Sequence, residues 1–156
     1  MTTLVIDASI AVKWVVEEDG TAEALTLRRR AKLIAPELLT VECANILWKK
    51  VQRNELSKDE ALLAARLLQA ADIEFLPTHS LLEAAMQIAI ELNHAAYDCL
   101  YLALATERDC RFVTTDERFV RKLSEAGRRR FRSRVIGLGQ AARELDKARS
   151  TEEQSQ

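Results

Sequence analysis

Residues 2–7, with the sequence TTLVID, form a short run of apolar and β-branched side chains that ends in an aspartate. Such a run is typical of a buried strand in a parallel sheet. Residues 111–116, RFVTTD, have the same character and end in Asp116. The carboxyl ends of parallel strands meet at one edge of a sheet, and ligands of open α/β folds bind there. If the two strands are neighbours, Asp7 and Asp116 therefore emerge at the same edge.

The rest of the chain alternates between strand and helix patterns. Further strands are predicted at 32–36, 72–76 and, more weakly, 135–138, and helices are predicted to begin near residues 10, 21, 37, 57, 80, 95 and 117. Ser9 is the expected N-cap of the first helix, and Ser57 with Glu60 has capping-box spacing. The helix from residue 117 is expected to end at about Ala126, before Gly127. This alternation predicts an α/β fold with a mainly parallel, roughly five-stranded sheet and helices on both faces.

The length and composition favour one globular domain. The chain has 156 residues, of which 48% are hydrophobic and 30% charged, which is ordinary for a globular protein. We expect the domain to span 1–145 and the polar tail, 146–156, to be disordered. Only four glycines occur, and none forms a dinucleotide-binding or P-loop pattern, so those two classes are poor interpretations.

The cysteines and the hydropathy of the chain indicate the cellular compartment in which the protein is expected. Cys43, Cys99 and Cys110 have no CxxC spacing, and without a recognisable signal peptide they are expected to be free thiols in a reducing cytoplasm. No apolar run approaches the length of a membrane span. The two histidines, His79 and His94, have no metal-ligand spacing, so zinc is not expected.

Two more carboxylates lie in otherwise apolar helical segments. Glu42 is in PELLTVECAN, with Asn45 one turn away, and Asp98 is in AAYDCLYLALA. A polar group in an apolar segment is a local conflict, and such conflicts tend to mark function. Each acid also has a purely structural interpretation: Asp7 as the start of a loop or a helix cap, Glu42 as a buried hydrogen-bonded group, Asp98 as an anion at a helix N-terminus and Asp116 as an N-cap.

Convergence of the four acids would predict a metal site. Two carboxylates at about 4 Å repel by roughly 4 kcal/mol at an effective dielectric constant of 20. A divalent cation removes that repulsion, and ligands that are all oxygen favour Mg²⁺ or Mn²⁺. Thr114 and Thr115 add hydroxyl groups beside Asp116.

These motifs resemble those of PIN-domain ribonucleases, and in particular the VapC toxins of VapBC toxin–antitoxin pairs. DASIAVKWVVEE is similar to the family's N-terminal segment, PELLTVECANILWK to the helix that carries the second acid, AAYDCLYLALA to the third acidic motif and VTTDERF to the fourth. The resemblance spans about residues 3–140.

The resemblance implies a three-layer α/β/α sandwich, metal-dependent cleavage of RNA, a homodimer and inhibition by a VapB-type antitoxin. It also implies a site made from Asp7, Glu42, Asp98, Asp116, Asn45 and Thr114. The three aspartates would bind the metal, Glu42 would bind it directly or through water, and Asn45 and Thr114 would orient other groups.

Other functions remain open from sequence alone. They are a PIN nuclease outside any toxin–antitoxin pair and a non-catalytic RNA- or protein-binding module. A phosphatase with an aspartyl nucleophile has little support, because that chemistry requires an acid at the position of Ser9. Arginines 128–134 could guide RNA to the rim of the site, although such clusters are usually solvated surface. Trp14 and Trp48 could line a groove for a partner helix or could belong to the core.

Overall fold

A parallel five-stranded sheet organises the residues that the computed structural model describes, 1–125 and 129–155. The strands are β1 (Thr2–Ile6), β2 (Ala31–Pro36), β3 (Glu74–Leu76), β4 (Arg111–Thr114) and β5 (Val135–Gly137). They lie in the order β3-β2-β1-β4-β5, and each neighbouring pair is parallel. The predicted α/β fold is confirmed, and the first and fourth strands are neighbours, which meets the condition for Asp7 and Asp116 to emerge at one edge.

Helices connect and cover these strands. In the described residues they are α1 (Ala8–Val12), α2 (Thr21–Arg30), α3 (Leu38–Gln52), α4 (Lys58–Gln69), α5 (Leu82–Leu92), α6 (Ala96–Glu107), α7 (Glu117–Leu123), α8 (Arg129–Arg132) and α9 (Leu138–Gln154), with a 3₁₀ turn at His79–Leu81. Crossovers between parallel strands are right-handed, so the helices between β1 and β3 cover one face and those between β3 and β5 cover the other. The chain reverses its direction across the sheet between β1 and β4, and a ligand site of an α/β sheet lies at such a reversal.

The register of β1 and β4 sets the position of the acids that follow them. Val5 pairs with Phe112 and Ile6 pairs with Val113, so Asp7 comes level with Thr114 at the carboxyl edge. The last three residues of each strand are buried, because helices cover both faces of the sheet.

The helix N-termini follow the sequence rules with one exception. Ser57 and Glu60 form the predicted capping box at the start of α4. The prediction that Ser9 caps α1 is wrong: the Asp7 side chain accepts a hydrogen bond from the Ile10 amide and takes the cap position. Both residue types are good N-caps, and the extended backbone of Asp7 at the strand end decides between them.

Helix α6 lies at the centre of the core. Seven consecutive residues, from Cys99 to Ala105, are buried, and the helix packs against β1, β2 and β4. This confirms the prediction of a helix that is apolar on nearly all sides. The buried position of α6 matters because its first two turns carry Asp98 and Tyr101.

The C-terminal segment differs from its prediction. Residues 146–154 continue α9 instead of forming a disordered tail, and α9 packs against α2. An ion pair joins Arg30 of α2 to Asp146 at 2.7 Å, and Arg149 pairs with Glu153 one turn later. Such pairs at helical spacing stabilise a polar helix that composition alone would not indicate.

Helix α7 ends at Leu123 and is therefore shorter than predicted. The predicted end at Ala126, the glycine at 127 and Arg128 of the arginine cluster lie outside the described residues. Among the residues that are described, no helix is both long and apolar enough to cross a membrane.

Candidate active site

Asp7 lies at the centre of a network of hydroxyl groups at the reversal point of the sheet. Its Oδ1 accepts a hydrogen bond from Ser9 Oγ at 2.5 Å, and its Oδ2 accepts one from Thr114 Oγ1 at 3.2 Å. Ser9 Oγ also lies 2.9 Å from Thr115 Oγ1. These contacts fix both oxygens of the carboxylate and tie the end of β1 to the end of β4.

Burial makes the ionised form of Asp7 costly. Loss of solvent raises the pKa of this carboxyl from 3.8 to about 6, and repulsion from Asp98 adds to the increase. The hydrogen bonds from Ser9, Ile10 and Thr114 oppose the increase without cancelling it. A buried carboxylate with a raised pKa and a second carboxylate nearby is a typical feature of a functional site.

Glu42, in the second turn of α3, contacts Tyr101 of α6. Tyr101 Oη donates to Glu42 Oε1 at 2.5 Å. Burial raises the pKa of Glu42, and repulsion from Asp98 raises it further, while the hydrogen bond from Tyr101 acts in the opposite direction. Burial and the neighbouring carboxylate also raise the pKa of the Tyr101 phenol, so the phenol remains a hydrogen-bond donor.

Asp98, in the first turn of α6, has a histidine as its partner. His94 Nε2 lies 2.7 Å from Asp98 Oδ2, and the two residues have the i,i+4 spacing of one helical face. The other ring nitrogen, His94 Nδ1, lies 3.4 Å from Lys122 Nζ. The imidazole ring also packs against Phe119, with ring centroids 4.6 Å apart. Asp98 is therefore held by a histidine that is itself held in place.

Asp116 occupies a different environment from the other three acids. Its Oδ1 accepts hydrogen bonds from the amides of Arg118 and Phe119 at 3.0 and 3.1 Å, which makes it the N-cap of α7, and its side chain is exposed. Its own amide donates to Thr114 Oγ1 at 3.1 Å. The Thr114 side chain is 1% exposed and bonds to both Asp7 and Asp116, so this hydroxyl connects the two acids.

The structure thus places the candidate residues in two groups. Asp7, Glu42 and Asp98 interact electrostatically, since Asp98 raises the pKa of the other two. Asp116 joins them through Thr114. Asn45 has an exposed side chain one turn after Glu42, and in the described structure no hydrogen bond links it to the acids.

The chemistry of these groups fits a divalent metal ion. The donors are carboxylate and hydroxyl oxygens, which suit hard cations, and Asp7 is a buried acid whose ionised form a cation would stabilise. Within residues 1–125 and 129–155, no three acids, histidines or cysteines form a ready-made ligand cage. Mg²⁺ does not require such a cage, because it usually keeps several waters and binds through one or two carboxylates.

Cys43 and Cys99 follow two of the acids in the sequence and are packed in the hydrophobic core. Cys43 and Cys99 are buried and free, and Cys110 is free and partly buried. Burial raises the pKa of Cys43 to about 12 and of Cys99 to about 11, so both remain thiols. This confirms that they belong to the core.

Arg134, the last arginine of the cluster, does not lie at the rim of the acidic site. Arg134 precedes β5, donates to the carbonyl of Cys110 before β4 and pairs with Asp109 at 2.7 Å, so it lies at the amino edge of the sheet, opposite the acids. The expectation of a rim position is therefore wrong for Arg134. Arg130 pairs with Glu91 at 2.8 Å, which compensates its charge.

Sequence reasoning missed Tyr101, His94 and Ser9 as neighbours of the acids. The spacing of His94 and Asp98 was a usable signal, because residues four apart share one face of a helix. Tyr101 carried a weaker signal: a tyrosine in a buried helix needs a partner for its hydroxyl.

Comparisons with known proteins agree with this geometry. The family profile described as PIN domain matches residues 4–123. Ribonuclease VapC3 of Pyrobaculum aerophilum is 32% identical over 125 residues, covering 76% of this chain and 93% of that protein.

Two solved structures share the fold. The crystal structure of PAE2754 from Pyrobaculum aerophilum superposes with a TM-score of 0.70 at 20% identity, covering 93% of this chain and 96% of that one. The structure of VapBC2 from Rickettsia felis, solved with a DNA fragment from its promoter, superposes with a TM-score of 0.59 at 12% identity. The match covers 87% of this chain and 98% of that one.

Proposed function

We propose that this chain, which belongs to the PIN-domain family and within it to the VapC ribonucleases, is a metal-dependent endoribonuclease and the toxin of a toxin–antitoxin pair. The observation that supports this activity best is the group formed by Asp7, Glu42 and Asp98, whose carboxylates interact at the reversal point of the sheet.

The acids would hold Mg²⁺ or Mn²⁺. Asp7, Asp98 and Asp116 are the proposed metal ligands, and Glu42 would bind directly or through water. A bound divalent ion lowers the pKa of water and neutralises charge on a phosphate under attack. Nitrogen and sulfur ligands, which would favour zinc, are not part of the proposed set.

The chain's own residues prepare this site for the cation. Ser9 and Thr114 hold the two Asp7 oxygens, so the carboxylate does not need to be reoriented when the metal binds. His94 holds one Asp98 oxygen, and the other oxygen can accept a second partner. Thr114 is thus an orienting residue, and Asn45, with its exposed side chain, is proposed to orient the substrate or a water.

RNA is the proposed substrate, and α7 provides positive charge close to the acids. Arg118 and Arg121 are exposed on this helix, whose N-cap is Asp116. Contacts from arginine to phosphates position a nucleic acid without reading its sequence. These two arginines are better placed for such contacts than Arg134.

A VapB-type antitoxin is the proposed partner. An apolar groove of about 390 Å³ runs between α3 and α4, and its lining includes Leu39, Leu47, Leu68 and Phe75. Trp48, also on α3, is 56% exposed, whereas Trp14 is partly buried and donates from Nε1 to the Ala24 carbonyl. An amphipathic segment could bury its apolar face in such a groove.

The decisive experiment is cleavage of total cellular RNA by the purified protein with Mg²⁺ or Mn²⁺, with an EDTA control. Asp98→Asn should abolish cleavage, because it removes one charge from the group while its amide can still bond to His94. Asp59→Asn is the matched control: Asp59 is exposed in the first turn of α4, and its loss should leave cleavage unchanged.

Discrete fragments that require both the metal and Asp98 are the expected result. Cleavage that persists in Asp98→Asn would contradict the proposed site. A protein that binds metal and RNA but cuts nothing would instead favour the non-catalytic binding module. Co-purification with the product of an adjacent small reading frame would separate a toxin from a PIN nuclease that has no antitoxin.

A further inference from the structure

The side-chain hydroxyl of Tyr101 donates its hydrogen bond to an acid of the candidate site. Its side chain is buried, with 1% of the residue exposed, and its Oη donates to Glu42 Oε1 at 2.5 Å. No other hydrogen bond to this hydroxyl occurs in the described structure. The bond joins α6 to α3, two helices that cover opposite faces of the sheet, above its carboxyl edge.

The ring of Tyr101 is fixed independently of Glu42. It stacks on Phe112 of β4, with ring centroids 5.3 Å apart and planes inclined by 11°. Phe112 is fully buried, so the ring of Tyr101 rests on the central part of the sheet. A tyrosine has two side-chain torsions, and this packing leaves its hydroxyl at a defined point.

Glu42, in contrast, has three side-chain torsions and only half-buried surroundings. A glutamate in such a position can adopt several rotamers unless a partner selects one. The phenol holds Oε1 and leaves Oε2 without a hydrogen-bond partner among the described residues. Oε2 is therefore the oxygen of Glu42 that remains available to a cation.

We propose that Tyr101 is a positioning residue that sets the orientation of Glu42 for binding of a divalent cation. This inference rests on the proposed metal-dependent function. Residues that orient metal ligands typically change metal affinity about 10- to 100-fold when they are replaced. A tyrosine that only filled the core would change stability without changing metal affinity.

The test is Tyr101→Phe, measured by calorimetric titration with Mn²⁺ alone, with no RNA present. The substitution removes one oxygen atom and keeps the ring that stacks on Phe112. We expect the affinity for Mn²⁺ to fall about 10- to 100-fold. Tyr97→Phe is the matched control, because Tyr97 lies one turn earlier on the same helix, is 65% exposed, and should bind Mn²⁺ like the wild type.

A second pair of variants asks whether Tyr101 acts through Glu42. In a Glu42→Ala background, Tyr101→Phe should produce no further loss of Mn²⁺ affinity, since the group it positions is gone. An equal loss in both backgrounds would show that the effect is general and would overturn the inference. Circular dichroism of each variant establishes that it is folded.

The outcome does not depend on RNA cleavage. Mn²⁺ affinity that is unchanged in Tyr101→Phe overturns the inference, even if the protein proves to be a nuclease, and so does a wild-type protein that binds no Mn²⁺. The inference would be supported, and the proposed nuclease refuted, by a protein that cuts no RNA but loses Mn²⁺ affinity in Tyr101→Phe. In that case the double variant should bind Mn²⁺ no more weakly than Glu42→Ala alone.

Discussion

Replacement of Asp7 by asparagine should make the metal-free protein more stable at neutral pH. The folded protein holds this carboxyl at a pKa of about 6, against 3.8 for an exposed aspartate. Between these values the unfolded chain releases the proton while the folded protein keeps it. The free energy of unfolding therefore falls as the pH rises from about 4 to about 6, and it stays low above that range.

The size of the effect follows from the two pKa values. Each pKa unit corresponds to about 1.36 kcal/mol, so ionisation of Asp7 costs the folded protein up to about 3 kcal/mol at pH 7. The single oxygen of an asparagine amide cannot replace both carboxylate oxygens as acceptors for Ser9 and Thr114, and the lost hydrogen bond lowers the gain in stability by about 1 kcal/mol. Asparagine is as good an N-cap as aspartate, so α1 is not weakened. We expect a net gain of about 2 kcal/mol.

Thermal unfolding in EDTA at pH 4 and at pH 7 measures this gain. About 2 kcal/mol corresponds to roughly 4–8 °C for a chain of this size. The midpoint should rise by that amount at pH 7 and should be nearly unchanged at pH 4. Asp59→Asn, on the exposed start of α4, should stay within about 0.5 kcal/mol of the wild type at both pH values.

Added metal should make the wild type more stable than Asp7→Asn. A ligand at 100 times its dissociation constant stabilises the folded state by about 2.7 kcal/mol, and the variant lacks one of the proposed ligands. The reasoning would be refuted if Asp7→Asn were no more stable than the wild type in EDTA at pH 7, or if its advantage were as large at pH 4.

Three other substitutions test separate parts of the structure. Thr114→Val removes a buried hydroxyl that bonds to both Asp7 and the Asp116 amide, so urea unfolding should show a loss of about 2 kcal/mol; a loss below about 0.5 kcal/mol would argue against this bridge. Ser57→Ala breaks the capping box of α4 and should cost about 1 kcal/mol in the same assay, with an unchanged midpoint counting against it. Ile90→Glu places a charge on an exposed apolar stripe of α5 that also includes Leu82 and Met86. If the homodimer that the family resemblance implies uses this stripe, light scattering should report a monomer for the variant, and a dimer of unchanged mass would exclude this face.

Much of the fold could be predicted because local and global signals agree. The β-branched runs ending at Asp7 and Thr114, and the capping box at Ser57, are each readable from a few residues. The choice between Asp7 and Ser9 as the cap of α1 was not readable, since both residue types suit the position. The C-terminal helix was missed because its stability comes from packing against α2 and from ion pairs, which polar composition does not reveal.

The site was predictable in outline and not in detail. Parallel topology places the ends of β1 and β4 together, and this brings Asp7 near Thr114 and Asp116. The different environments of the acids depend on side-chain contacts: Asp116 caps a helix, whereas burial and the nearby Asp98 raise the pKa of Asp7 and of Glu42. The contact between Tyr101 and Glu42 joins helices far apart in sequence, and no local pattern reports such a contact.

The order of the sheet, β3-β2-β1-β4-β5, has a consequence for the synthesis of this protein. The ribosome releases Asp7, at the end of β1, long before the strand that carries Thr114 and leads to Asp116, which pairs with β1 but is the fourth of the five described strands to emerge. Until that strand docks beside β1, the hydroxyl that connects Asp7 to Asp116 is missing. The candidate site therefore assembles only after β4 has left the ribosome, although its first acid, Asp7, is among the first residues to appear.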